Sequence, residues 1–143
     1  ECSESEYDCL LIADGGIKNS GDMVKALAAG ADAVMVGRML AGTDESPGDI
    51  IRNKGMPPMK VYRGMASPEA QVAWRGRYSS NEGVSRTVPL KGSATSVLYE
   101  IDKGIRSGLS YSGVRNIRQL QAKSEFVVQT SAGAKESSTH IDS

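Results

Sequence analysis

Two short apolar runs stand on either side of an amphipathic segment near the beginning of the chain. Residues 9–13 read CLLIA and residues 33–37 read AVMVG. A continuous apolar run of this length is typical of a strand that is covered on both faces, as in a parallel sheet. The pattern therefore predicts two buried parallel strands with the amphipathic segment between them.

The segment between the two runs has the period of a helix. Its apolar residues recur at positions i, i+3, i+4 and i+7, which are Val24, Leu27, Ala28 and Ala31. Ser20 is available to cap the helix and Gly30 lies near its end, so we expect a helix of about ten residues. Residues 9–37 are thus predicted to form a βαβ unit with a right-handed crossover.

The polar stretch from residue 42 to about residue 92 is predicted to be a long loop system. Glycine and proline recur throughout it, at Gly42, Pro47, Gly48, Gly55, Pro57, Pro58, Gly64, Gly76, Gly83, Pro89 and Gly92. A loop system of this length in a compact domain is usually functional or disordered. We expect its later part, about residues 66–92, to be a flap.

Helical spacing returns after the loop system. Residues 94–106 and residues 112–122 each have apolar positions three or four apart, which predicts two helices. The sequence EFVVQ at residues 125–129 predicts a short strand. The polar tail, about residues 130–143, is expected to be irregular, and its His140 has no neighbouring partner residue that would indicate catalysis or metal binding.

Composition indicates one globular domain and excludes several classes of function. The chain has 143 residues, of which 39% are hydrophobic and 24% charged, and its 17 basic residues balance 17 acidic ones. This balance does not favour nucleic acid or a membrane surface as a partner. No apolar run approaches the roughly 20 residues that span a bilayer, and the acidic start is unlike a signal peptide. We therefore expect a soluble, cytoplasmic protein.

The two cysteines do not form a recognisable redox or metal motif. Cys2 and Cys9 have neither C-x-x-C nor zinc-ribbon spacing, and a reducing compartment would leave both as thiols. Cys9 is interpreted as a small apolar strand residue and Cys2 as exposed.

Glycines follow both predicted parallel strands. Asp14, Gly15 and Gly16 end the first strand, and Gly37 ends the second. In barrels of alternating strands and helices, the last strands often hold a phosphate on bare backbone N–H groups at their carboxyl ends. An Asp beside them could accept hydrogen bonds from a ribose diol. A dinucleotide fingerprint is excluded because G-x-G-x-x-G is absent here, whereas a simple glycine turn stays open on these residues alone.

Longer motifs then give a specific resemblance. The segments ADGGIKNSGDMVKALAAGADAVMVG, LAGTDESPG, KVYRGMAS, NEGV, GIRSGLSYSG and AGAKESS occur in this order. Over about residues 10–138 they resemble the C-terminal part of the IMP dehydrogenase and GMP reductase family. The resemblance implies an α/β fold: the C-terminal portion of a (β/α)8 TIM barrel with an inserted flap loop, forming one catalytic domain that binds a purine nucleotide and a nicotinamide cofactor.

The resemblance also implies roles for individual residues around the nucleotide. Asp14 would hold the ribose hydroxyls, and the N–H groups of Gly16 and Gly37 would bind the phosphate together with the Tyr62 hydroxyl. Main-chain atoms and one carboxylate would contact the purine, from Gly64, Met65 and Glu82.

Two departures from the family pattern are visible. The family usually has serine or another small polar residue after the glycine at position 37, and this chain has Arg38. The guanidinium could pair with phosphate or point outward while the backbone binds. The family's catalytic cysteine motif, G-S-x-C-x-T, lies upstream of the motifs present here, and neither cysteine of this chain matches it. We expect the chain to be a segment of a longer protein and inactive by itself.

The choice between dehydrogenase and reductase depends on two segments. RGRYSS supplies Arg77 and Tyr78, which resemble the flap pair that activates water in the dehydrogenases, but few residues separate them from Glu82, as in the reductases. AGAKESS favours a dehydrogenase, because its main-chain oxygens at Glu136, Ser137 and Ser138 would complete a potassium site on a neighbouring subunit.

The sequence is therefore interpreted as part of an NAD-dependent IMP dehydrogenase that forms a homotetramer. Tyr111 resembles a residue that reaches the cofactor of the adjacent subunit, where an aromatic ring can stack on adenine; a partly buried tyrosine at a helix start is the alternative. The upstream half of the same barrel would be the other partner. A GMP reductase, a nucleotide-binding module without catalysis and a flavin-dependent barrel enzyme are the alternative functions.

Overall fold

The computed structural model describes residues 9–64, 72 and 85–136, and these residues contain two small sheets and four helices. In chain order the elements are β1 (Ile12–Asp14), α1 (Ser20–Ala28), β2 (Ala33–Met35), β3 (Ile50–Ile51), β4 (Met59–Arg63), β5 (Ser85–Pro89), α2 (Ala94–Tyr111), α3 (Ile117–Lys123) and α4 (Ser131–Glu136). β1 pairs with β2, and β3, β4 and β5 form the second sheet in that order.

The predicted βαβ unit is confirmed. β1 and β2 are parallel, with Ile12 opposite Ala33 and Asp14 opposite Met35, and α1 connects them. The strands are shorter than the apolar runs and are not covered as expected: Ile12 is 54% exposed and Met35 51%. Among the described residues, β1 and β2 pair only with each other. Apolar side chains that would suit the interior of a larger sheet are therefore exposed.

Helix α1 begins at Ser20, one residue earlier than a cap at Ser20 would require. Its N-cap is Asn19, whose side chain accepts a hydrogen bond from the N–H of Asp22 at 2.9 Å, so the prediction of Ser20 as the cap is wrong. Asparagine is an equally good cap because its side-chain oxygen reaches the same orphan N–H groups. The helix ends at Ala28, and Gly30 follows with a φ of 110°, as expected for a helix stop.

Helices α1 and α2 pack closely through two glycines of α2. A Cβ on Gly108 would lie 2.6 Å from a methyl carbon of Val24, and a Cβ on Gly104 would collide with Ser20. Because residues four apart share a helix face, this pair forms a smooth strip against α1. Leu27, Val114 and Leu120 form the adjoining buried cluster of the described residues.

The stretch from residue 42 to residue 92 is not the unstructured loop system that we predicted. It contains an antiparallel sheet in which Ile50 pairs with Lys60 and Lys60 pairs with Val88. The strands were missed because they are short, and because glycine and proline near their ends obscure the alternation of apolar and polar residues. The predicted flap boundary is also wrong, since Ser85–Pro89 is strand β5.

The C-terminal part also differs from prediction, in two helix boundaries, one strand and part of the tail. α2 continues to Tyr111, and α3 begins at Ile117, capped by Asn116. The predicted strand at 125–129 is wrong: these residues pair with no strand in the described part of the chain, and Val128 is fully exposed. β-branched residues favour a strand only where a neighbouring edge offers pairing and burial. Part of the tail that was expected to be irregular is α4.

Cys9 precedes β1 and is an exposed free thiol, so its interpretation as a covered strand residue is wrong. In the part of the chain that the structure describes, no helix is both long and apolar enough to cross a membrane. The described strands do not close into a barrel.

We predict that Gly108→Val destabilises the fold by separating α1 from α2. The added side chain must displace Val24, and overpacking of this kind costs about 1–3 kcal/mol. The free energy of unfolding, measured by urea denaturation, is expected to fall by about 2 kcal/mol.

Ser107→Val is the matched control, because Ser107 is the exposed neighbour of Gly108 on the same helix. Its effect should stay within about 0.5 kcal/mol, as for most surface changes. Equal losses in both variants would contradict close packing at Gly108.

Candidate functional site

The carboxyl ends of β1 and β2 carry the glycines that the sequence singled out. Asp14 is the last residue of β1, and Gly15 and Gly16 follow with φ values of 92° and 74°. Such left-handed conformations are strained for residues with a Cβ. No heavy atom lies within 4 Å of where a Cβ would stand on either glycine. The backbone there is therefore bare and accessible to a ligand.

Tyr62 lies beside the glycine that follows the second parallel strand. A Cβ on Gly37 would stand 3.1 Å from the Tyr62 hydroxyl oxygen. Tyr62 lies in β4, where it is half-buried and pairs with Arg86. The fold thus brings a hydroxyl donor from the antiparallel sheet to the end of the parallel sheet. Sequence spacing alone could not predict this contact, because several turns and strand β3 separate Gly37 from the strand that contains Tyr62.

Arg38 contributes to a ring of positive charge next to these glycines. It lines a cavity of about 170 Å³ together with Lys18 and Lys91, and the other lining residues are Ile17 and Met39. The ammonium of Lys91 is held in place because it donates to the carbonyl of Met39 at 2.9 Å. The residues that line this cavity include no carboxylate. Because three cations surround a small volume, the cavity favours an anion.

Asp22, a residue of α1, fixes the turn after Gly16 by a hydrogen bond. The carboxylate of Asp22 accepts the backbone N–H of Lys18 at 3.0 Å and forms a salt bridge of 2.9 Å with Lys25. The hydrogen bond from Lys25, followed by that from the Lys18 N–H, lowers the pKa of Asp22 below its ordinary value of 3.8. Asp22 therefore connects the start of the helix to the glycine turn.

Lys60 and Glu45 are residues of this region that the sequence analysis missed. Lys60 is 3% exposed and its ammonium donates to the carbonyl of Thr43 at 2.7 Å. Glu45 caps α2, because its carboxylate accepts the N–H of Ala94 at 2.7 Å. Lys60 stands two residues before Tyr62, so both side chains lie on the same face of β4, but this relation could not be used because the strand was not predicted.

The other proposed site residues are only partly described. Gly64 follows β4, and no heavy atom lies within 4 Å of where its Cβ would stand. Tyr111 is the last residue of α2 and is 92% exposed, so the alternative of a partly buried residue at a helix start is wrong. Glu136 ends α4. The remaining predictions lie outside the described residues: Met65, Arg77, Tyr78, Glu82, Ser137 and Ser138.

Carboxylate, histidine and cysteine side chains do not cluster as a metal site in the described ranges. The potassium ligands that we predicted are main-chain oxygens at the end of the chain, so this finding does not bear on them.

Together these features define an α/β protein with a glycine-lined site at the carboxyl ends of parallel strands and a cation-lined cavity beside it. Comparison with known proteins identifies the family. The family model of the IMP dehydrogenase / GMP reductase domain matches residues 1–140. The chain therefore belongs to the IMP dehydrogenase / GMP reductase family.

Both enzyme names occur among the relatives. The chain is 49% identical to an inosine-5'-monophosphate dehydrogenase of Aquifex aeolicus, over 94% of this chain and 29% of the relative. It is 43% identical to a GMP reductase of Leishmania major, over 90% of this chain and 28% of the relative. The chain thus spans less than a third of the length of these relatives.

A solved structure with the same fold is a GMP reductase from Trypanosoma brucei in complex with guanosine 5'-monophosphate. Its TM-score is 0.84 at 43% identity, covering 94% of this chain and 28% of that chain. The absence of a closed barrel in the described residues agrees with this partial coverage.

We predict that Asp22 makes stability depend on pH in the acid range. Because its pKa in the folded state is lowered, its contribution is fully present above pH 3.8 and is lost as the pH falls through the lowered pKa. Asp22→Asn should therefore reduce the loss of stability on acidification. Urea midpoints measured at several pH values on both sides of 3.8 test this.

Glu125→Gln serves as the control, since Glu125 is an exposed residue beyond α3. The effect of Asp22→Asn should also weaken at high salt, because exposed charge pairs are screened. An unchanged acid slope in Asp22→Asn would refute the prediction.

Proposed function

We propose that this chain forms the nucleotide-phosphate part of an IMP dehydrogenase barrel. The observation that supports this most directly is the position of the Tyr62 hydroxyl beside Gly37, close to the turn of Gly15 and Gly16. A hydroxyl and bare N–H groups can together donate several hydrogen bonds to the oxygens of one phosphate monoester. Family membership supports a purine nucleoside monophosphate, IMP, as its carrier.

We also assign residues that would contact the ribose and the base of the nucleotide. The Asp14 carboxylate, exposed at the end of β1, accepts hydrogen bonds from the ribose hydroxyls in our proposal. Main-chain groups of Gly64 and Met65 and the side chain of Glu82 contact the purine. Gly64 supports this assignment in one respect, since the space where its side chain would stand is open.

The reaction that we propose is oxidation of IMP to XMP in guanine nucleotide synthesis. A cysteine of the upstream barrel strands would add to C2 of IMP. Once C2 has lost its hydride, the adduct becomes a thioimidate, which water would cleave to XMP and the free thiol. Bound NAD supplies the hydride acceptor for C2. Arg77, supported by Tyr78, activates the water; an arginine is a weak base at its usual pKa, so the site would have to favour its neutral form strongly.

Two further groups would bind at the ends of described helices. Tyr111 at the end of α2 is exposed enough to stack on the adenine of NAD bound by a neighbouring subunit. Main-chain oxygens of Glu136, Ser137 and Ser138, at and beyond the end of α4, are the hard donors that suit a potassium ion. Both assignments need a neighbouring subunit, and we propose a homotetramer in which each barrel includes its upstream half. We place this enzyme in the cytoplasm.

A GMP reductase is the second candidate function. It is supported by the solved structure of a reductase with bound guanosine 5'-monophosphate, which has the same fold, and by the short separation between Tyr78 and Glu82. The cofactor would then be NADPH. The higher identity to an IMP dehydrogenase and the AGAKESS tail make the dehydrogenase our first choice.

The complete barrel protein, assayed with potassium, distinguishes the two candidates. We expect absorbance of reduced cofactor to grow with IMP and NAD and to stay constant with GMP and NADPH. Consumption of NADPH with GMP would establish the reductase instead. Nucleotide binding without turnover in either assay would indicate a non-catalytic module.

We further predict that Arg38 contributes to binding of the phosphate. Arg38→Ala should weaken binding of IMP about tenfold through loss of a charge-assisted interaction, and should leave binding of inosine unchanged because inosine has no phosphate. Isothermal titration at two salt concentrations measures both effects.

Arg52→Ala is the control, since Arg52 is an exposed arginine that follows β3. Equal weakening of IMP and inosine by Arg38→Ala would show that the guanidinium acts on the fold and not on the phosphate.

A further inference from the structure

Lys60 is a buried cation to which the proposed nucleotide contacts assign no role. It is the second residue of β4 and is 3% exposed. Its ammonium donates to the carbonyl of Thr43 at 2.7 Å and lies 3.5 Å from the carbonyl of Asp44. Burial of a charge costs free energy unless hydrogen bonds compensate it. A lysine retained here, satisfied by main-chain oxygens, therefore fixes those oxygens with respect to β4.

The carbonyl oxygens that accept hydrogen bonds from Lys60 belong to a tight turn that begins at Gly37. The N–H groups of Leu40 and Ala41 donate to the carbonyl of Gly37, at 3.0 and 3.1 Å. The Thr43 side chain, 1% exposed, donates to the carbonyl of Leu40 at 2.8 Å. These bonds make residues 37–44 one hydrogen-bonded unit, with Gly37 at its beginning and the Lys60 contacts at its end.

The same strand contacts both ends of this turn. Side chains two residues apart in a strand lie on one face, so Lys60 and Tyr62 project from the same side of β4. Lys60 contacts the turn at Thr43, and the Tyr62 hydroxyl lies beside Gly37. β4 itself is held in register by β5, where Lys60 is opposite Val88 and Tyr62 is opposite Arg86.

We propose that Lys60 is a positioning residue that sets the Tyr62 hydroxyl relative to the Gly37 backbone, and thereby shapes the phosphate site. This inference rests on the proposed function, because it assigns the two donors to a nucleotide phosphate. A side chain without donors at position 60 would remove the shorter of the two hydrogen bonds to the Thr43 carbonyl and leave only the N–H of Ser46, 3.2 Å away, as its donor in a region closed to solvent. Such a loss is relieved by movement of the turn away from β4.

A double-mutant cycle with Tyr62 tests the coupling. IMP and inosine binding to the complete barrel protein is measured by titration calorimetry for Lys60→Met, Tyr62→Phe and the double variant. Each single change should weaken IMP binding about tenfold, the scale of one hydrogen bond that involves a charged group, and should spare inosine. If Lys60 acts through Tyr62, the double variant binds IMP no more weakly than the weaker single variant.

Two further variants separate positioning from a general structural role. Lys60→Arg retains cationic donors and is expected to restore most of the IMP affinity. Lys54→Met changes an exposed lysine of the turn between β3 and β4 and should change nothing. Independent, multiplicative losses in the cycle, or equal weakening of IMP and inosine by Lys60→Met, would overturn the proposal.

Hydrogen exchange distinguishes failure of this inference from failure of the proposed function. If the unmodified protein binds neither IMP nor GMP, the proposed function is wrong. The effect of Lys60 on the turn of residues 37–44 can still be measured without a ligand. The amides of Ala41 and Thr43 should exchange faster in Lys60→Met than in Lys54→Met, because both lie in the turn that Lys60 holds. Equal exchange rates would refute the positioning role.

Discussion

The contact between the turn after β2 and the antiparallel sheet is the constraint on which the candidate site depends. The N–H of Lys91 donates to the carbonyl of Gly42 at 2.9 Å, and the N–H of Asp44 donates to the carbonyl of Gly92 at the same distance. A Cβ on Gly42 would collide with the carbonyl of Pro89, so only glycine allows the two backbones to come this close. This contact, together with the hydrogen bond from Lys60 to the carbonyl of Thr43, holds the sheet that carries Tyr62 against the turn after β2.

The parts of the fold that were predictable from sequence are those with a local period. The βαβ unit and the helix over residues 94–106 follow from apolar spacing, because a helix needs only its own residues to show its pattern. The antiparallel sheet depends on pairing between distant segments, such as Lys60 with Val88. Short strands have no local period from which such pairing could be predicted. The wrong prediction of a strand at 125–129 has the converse cause, since strand propensity without a partner edge does not make a strand.

The candidate site was predictable in a similar, partial way. The turn of Asp14, Gly15 and Gly16 was visible from its position after an apolar run, but these residues alone favoured a simple glycine turn, and the ligand site was predicted only through the family resemblance. Tyr62 entered only through resemblance to a family. Lys60 was missed because a lysine in a polar stretch is indistinguishable from a solvated one until its burial is known. Residues such as Arg77 and Glu82 stay predictions from the family motif.

The pairing of β4 with β5 has a consequence for how the family can vary. Arg63 and Ser85 are opposite each other at the end of the ladder, so the chain leaves the sheet and returns to it at one place. Loop-closure entropy grows slowly with length, by only about 0.6 kcal/mol for each doubling. Segments of very different length can therefore be inserted between these two residues at little thermodynamic cost.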